Sequence, residues 1–93
     1  MKKYKVGFHY KRGRCSTFVS EICVMVQGTW EGSFEEEHIE AELRAIKQNI
    51  AEMKFRGNFR GDSLMMIIED KTLLVYNRAR TEIALTIIFE PIK

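Results

Sequence analysis

The sequence predicts an α+β fold of ββαβββ order, a mainly antiparallel sheet with one long amphipathic helix packed on one face. Three observations carry this. Tyr4, Val6, Phe8 and Tyr10 alternate with Lys5, Gly7, His9 and Lys11, the period-two pattern of a half-buried strand. Ile39, Leu43, Ile46, Ile50 and Met53 recur at spacings of four, three, four and three, one apolar stripe on a helix. After Gly57, three short runs rich in β-branched and aromatic residues are separated by turn formers, as in a strand meander.

In chain order, the first strand is followed by a second with Phe18, Ile22, Val24 and Val26 on one face. Lys11-Arg12-Gly13 suits a three-residue hairpin loop with Gly13 in the left-handed region, which pairs Val6 with Phe18 and Phe8 with Ser16. Gly28 to Gly32 interrupts the strand pattern, and Ser33-Phe34-Glu35-Glu36 reads as a capping box that starts the helix. The helix ends near Phe55, before Gly57. A loop from Arg56 to Asp62 leads into a strand from Ser63 to Glu69, Asp70-Lys71 forms a tight turn, and strands Thr72–Tyr76 and Thr81–Phe89 flank Asn77–Arg80.

The chain has 93 residues, 45% apolar and 30% charged. That suits one folded domain, 1–93, rather than a disordered segment. No apolar run reaches the roughly 18 residues of a membrane helix, and no apolar stretch follows the basic start as in a signal peptide. Cys15 and Cys23, eight positions apart on one extended strand, stand roughly 26 Å from each other, beyond the ~7 Å limit for a disulfide. Reduced thiols and a cytoplasmic location are the expectation.

Charge is unevenly spread. Residues 1–14 hold six Lys and Arg and no acid, whereas residues 31–42 hold six Glu and no Lys or Arg. If consecutive elements alternate in direction, one end of the fold gathers Lys11, Arg12, Arg14, Lys54, Arg56, Arg60, Arg78 and Arg80, with Phe55 and Phe59 interleaved. Acids at a helix start and bases at its end complement the macrodipole. That does not account for Arg12, Arg14, Arg78 and Arg80, which lie outside the helix. Guanidinium groups in three loops compose a surface for carboxylates or phosphates, which they hold in bidentate fashion.

The strands also carry surplus apolar surface. Leu64 to Ile68 and Leu73 to Tyr76 are apolar on both faces, and one helix covers one face only. Either a curled sheet, Trp30 and the N-terminal hairpin cover the second face, or a second copy or another protein does.

Specific chemistry is missing. Cys15, Cys23, His9 and His38 match no zinc spacing, no cysteine–histidine pair is set up for nucleophilic catalysis, and the G-x-x-x-G at Gly57–Gly61 lacks the strand and Lys-Ser/Thr of a phosphate loop. No catalytic, cofactor or metal site is expected. The sequence therefore points to a small non-enzymatic binding protein, an inhibitor or adaptor, using the basic loops and an apolar sheet face against a protein with an acidic or nucleic-acid-handling surface. The alternative is a nucleic-acid-binding module that grips the phosphate backbone with the same arginines while Phe55 and Phe59 stack.

Overall fold

A computed structural model describes residues 2–11 and 17–93. Its elements are β1 (Lys3–His9), α1 (Thr17–Thr29), β2 (Phe34–Glu35), a 3-10 turn Glu36–His38 running into α2 (Ile39–Glu52), and a small hairpin of β3 (Lys54–Phe55) and β4 (Phe59–Arg60). A second 3-10 turn, Gly61–Ser63, leads to β5 (Met66–Glu69), β6 (Thr72–Tyr76) and β7 (Ile83–Pro91). The main sheet is antiparallel in the order β2-β1-β7-β6-β5. The α+β class, the antiparallel sheet and the long helix packed on it are as the sequence predicts.

The second element is the main correction. Residues 17–29 form a helix, not a strand. Phe18, Val19, Ile22 and Val26 are its buried residues, spaced one, three and four apart, whereas Val24 is 67% exposed. A strand would have buried Val24 beside Val26. The hairpin that would have paired Val6 with Phe18 is therefore absent: Val6 lies opposite Phe89 and Phe8 opposite Ile87 on β7. Arg12, Gly13, Arg14, Cys15 and Ser16 lie outside the described residues. Because Cys23 is on α1, the extended-strand separation from Cys15 no longer applies.

The long helix is also shorter than expected. Ser33 makes no cap, since Phe34 and Glu35 pair with Tyr4 and Lys3 as a strand, and no side chain caps either helical segment there. It stops at Glu52 because Met53 turns extended and Lys54–Phe55 join a hairpin instead. Its stripe holds: Ile39, Leu43, Ile46 and Ile50 are all 2% exposed or less. The strand expected from Ser63 begins only at Met66, and the last strand runs from Ile83 to Pro91, slightly later than predicted.

Both helices pack on the same face of the sheet. Tyr4, Leu73, Val75, Leu85, Ile87 and Phe89 of that face join Phe18, Val19, Ile22 and Val26 of α1 and the stripe of α2 in one core. Full burial of each such side chain contributes about 1.5 to 3 kcal/mol before entropy is counted. Trp30 belongs to this covered side, its indole N–H donating to Glu42 at 2.9 Å, so it does not shield the opposite face. There Ile67 is 41% exposed, and Leu74, Tyr76 and Ile88 remain half-buried. No helix among the described residues is long and apolar enough to cross a membrane.

One close approach fixes the arginine-bearing hairpin to the helix. The Gly61 N–H donates to the Met53 carbonyl at 2.8 Å, and a Cβ at Gly61 would stand 1.6 Å from the Ile50 carbonyl oxygen. Only glycine fits there. Gly61→Ala is expected to lower the unfolding free energy by at least about 1 to 3 kcal/mol in urea denaturation. Leu43→Ala should cost about 2 to 5 kcal/mol, while Glu37→Ala stays within about 0.5. Equal costs at Leu43 and Glu37 would contradict the helix face described.

Candidate binding surface at the arginine-rich end

Strand directions decide which loops meet. β1 and β6 run one way and β5 and β7 the other, because each hydrogen-bonded pair is antiparallel. The exit of β1, the entry of α1, the β3–β4 hairpin and the β6–β7 connection therefore share one end. Lys11, Lys54, Arg56, Arg60, Arg78 and Arg80 all lie there. Arg12 and Arg14 belong to the segment outside the described residues.

The hairpin's sequence explains its shape. Phe55 and Phe59 are cross-strand partners, and the three-residue loop between them places Gly57 at φ +94° and Asn58 at φ +60°, left-handed values that Gly and Asn tolerate best. The two rings stack at 5.1 Å with a 25° interplanar angle. Phe18 of α1 meets both edge-on, at 6.0 Å and 5.8 Å. Phe55 is thereby buried, only 3% exposed, which corrects the expectation that it stacks on a ligand.

Arg78 completes the arrangement. Its guanidinium carbon lies 4.1 Å from the Phe59 ring centroid, a cation–π contact that holds the cation over the ring. Thr17, Phe18, Arg56, Phe59, Asn77 and Arg78 line a shallow cavity of about 280 Å³. Arg56, Phe59 and Arg78 are thus brought together, whereas Lys11, Lys54, Arg60 and Arg80 surround the site without lining it.

Asn77 and Thr17, which the sequence reading did not single out, help to build the site. The Asn77 side-chain carbonyl accepts from the Thr81 N–H at 2.8 Å and its amide donates to the Thr81 hydroxyl at 2.9 Å. The Arg80 N–H donates to the Asn77 carbonyl at 3.0 Å, and Arg80 is held at φ +60°. An asparagine opening a turn between two strands is the signal that marks it in the sequence.

The two ends differ in how their charges are paired. Lys54 and Arg60 are directly opposite on the hairpin, a like-charge pair that opposes the fold. Arg60 reaches Asp62 only at 3.9 Å, both well exposed, a contact worth little. Among the described residues, no carboxylate lies within 4 Å of Lys11, Lys54, Arg56, Arg78 or Arg80. At the other end two acids are paired, Glu35 with Lys3 at 3.2 Å and Glu36 with Lys71 at 3.5 Å. A hydrogen bond with Glu37, together with Lys3, holds the Glu35 carboxyl below its ordinary value. Burial, and donation of its hydroxyl to Glu36 at 3.2 Å, push the Tyr4 phenol up. Glu35, Glu37 and His38 bring ligating atoms within 4.8 Å of one another, but they are open to solvent and nothing further marks them as a metal site.

No protein-family model matches the sequence, and no curated protein and no solved structure matches it significantly.

Asn77→Ala is expected to destabilise the protein by about 1 to 2 kcal/mol, since the Thr81 N–H and hydroxyl lose their partner. Amide exchange at residues 78–81 should accelerate with it. Unchanged exchange there would show that the loop holds its shape without the asparagine.

Proposed function

We propose that this protein is a small binding protein of inhibitor or adaptor type, which acts by occupancy rather than catalysis and holds an acidic surface of another protein with its arginine-rich end. The observation that supports this most is Arg78 stacked on Phe59 beside Arg56, with no carboxylate of the described residues near either. Holding an unpaired guanidinium in one orientation lowers the entropy lost when it meets a carboxylate. Like charges crowded around it favour an anionic partner over the free state and speed encounter with one.

A protein surface fits better than a stacked nucleic acid. Phe55 is buried and the Phe59 ring already takes Arg78, so neither ring of the pair is set out for a base, which a sequence-tolerant single-strand binder needs. The overall charge of only +2 points the same way. The half-exposed Leu74, Tyr76 and Ile88 on the open sheet face offer apolar contact area beyond the charged end.

The test compares wild type with the double reversal Arg56→Glu/Arg78→Glu, using labelled polyglutamate and a mixed-sequence oligonucleotide in fluorescence anisotropy at several salt concentrations. Wild type should bind polyglutamate at least tenfold more tightly than the variant, at nearly equal thermal midpoints, because exposed charges add little to stability. Binding of the oligonucleotide alone, with a salt slope near 0.7 to 0.9 per phosphate contacted, would support a nucleic-acid partner instead. Equal binding by both proteins would remove the arginine-rich end from consideration.

A further inference from the structure

Strand β1 outruns its outer neighbour. β2 pairs only with Lys3 and Tyr4, so from Lys5 to His9 β1 is the rim of the sheet. Its free backbone groups follow from strand alternation. The Ile92 N–H donates to the Lys3 carbonyl at 2.8 Å, which turns Lys3, Lys5, Gly7 and His9 toward β7. Tyr4, Val6 and Phe8 turn outward. Pro91, which has no N–H to give, accordingly stands opposite Tyr4. Tyr4 meets Phe34, and beyond it no group of the described residues hydrogen-bonds the N–H and carbonyl groups of Val6 and Phe8. No proline or bulge interrupts β1, two of the means by which an exposed edge is blunted.

A groove of about 230 Å³ runs beside this rim, with Val6 and Phe8 on one wall and Gln27 and Trp30 on the other. β2 shows which residues suit the position. Phe34, opposite Tyr4, faces the core and packs edge-on to Phe89 at 5.5 Å. Glu35, opposite Lys3, faces outward and pairs with it at 3.2 Å. The next outward cation, Lys5, has no such partner: Glu90, across from it on β7, lies over Gly7 and reaches His9 at 3.6 Å instead. A Cβ at Gly7 would come within 2.6 Å of that carboxylate. Continued past β2, the pattern is apolar inward and acidic outward.

We propose that the rim of β1 from Val6 to His9 takes up an extended peptide of a partner protein, in which apolar and acidic residues alternate, as an added strand antiparallel to β1 and in line with β2. The free backbone groups supply the ladder, the groove takes the inward side chains, and Lys5 pairs with an outward carboxylate. This site stands on observations separate from those at the arginine-rich end.

The probe is an acetylated, amidated heptapeptide of alternating valine and glutamate, followed in amide spectra of the labelled protein. It should shift and protect the Val6 and Phe8 amides. Binding should weaken at least tenfold in Val6→Pro, which removes an outward N–H and leaves the β7 ladder intact. The same loss is expected in wild type with a peptide N-methylated at every second residue, which decides the matter if the proline variant does not fold. The Val6 and Phe8 shifts should persist in Arg56→Glu/Arg78→Glu, whatever that variant does to anion binding at the arginine-rich end. The proposal is overturned by no perturbation up to about 1 mM peptide, by perturbation centred on the β5 edge or the arginine-rich end, or by indifference to N-methylation.

Discussion

Strand β7 carries the architecture. It is paired on both sides along most of its length, with β1 and with β6, and Leu85, Ile87 and Phe89 along it are almost completely buried. A residue slip in its register would turn these three to solvent and bring Thr86 and Ile88 into the core. Because its partner β1 comes from the opposite end of the chain, the pairing closes a loop of more than seventy residues, within which α1, β2 and α2 must all find places. The two helices lie on one face of the sheet, β2 extends its edge, and the other face is left open.

From this constraint the distribution of charge follows. Antiparallel neighbours send the β1 exit, the β3–β4 hairpin and the β6–β7 connection to one end, and each brings cations with it. The hairpin is anchored from below by Phe18 and Phe55 and from behind by Gly61, whose missing side chain lets it pass the last turn of α2. Arg78 is fixed on one side by the Phe59 ring and on the other by an asparagine-built turn. At the far end Glu35 is matched by Lys3 and Glu36 by Lys71. Among the described residues the near end has only the exposed Arg60–Asp62 contact at 3.9 Å, which leaves Arg56 and Arg78 without a carboxylate from the fold.

The sequence made the periodic elements legible. The apolar stripe from Ile39 to Ile50, the alternation in β1 and the strands around Asp70 all stand where their spacing puts them, because each buries one face against a single core. Residues 17–29 misled for a physical reason: Val19, Ile22, Val24 and Val26 are β-branched, and local propensity favours strand there. The four-residue spacing of Phe18, Ile22 and Val26 carried the helical signal, with exposed Val24 as the exception to it. At the candidate site, the gathering of arginines was legible from alternating chain direction. The stacking of Arg78 on Phe59 and the burial of Phe55 were not, because both depend on how the short β3–β4 hairpin docks against α1.

The proposed function requires that Arg56 and Arg78, which line one cavity, meet an external anion together. Side-chain Nε–Hε resonances of the arginines, followed while a glutamate-rich peptide is added, test it most directly. Arg44, already paired with Glu40 at 2.8 Å on the exposed face of α2, serves as an internal reference. The account predicts that Arg56 and Arg78 shift together and saturate at a common peptide concentration while Arg44 stays in place; uniform, unsaturated drift of all three would contradict it.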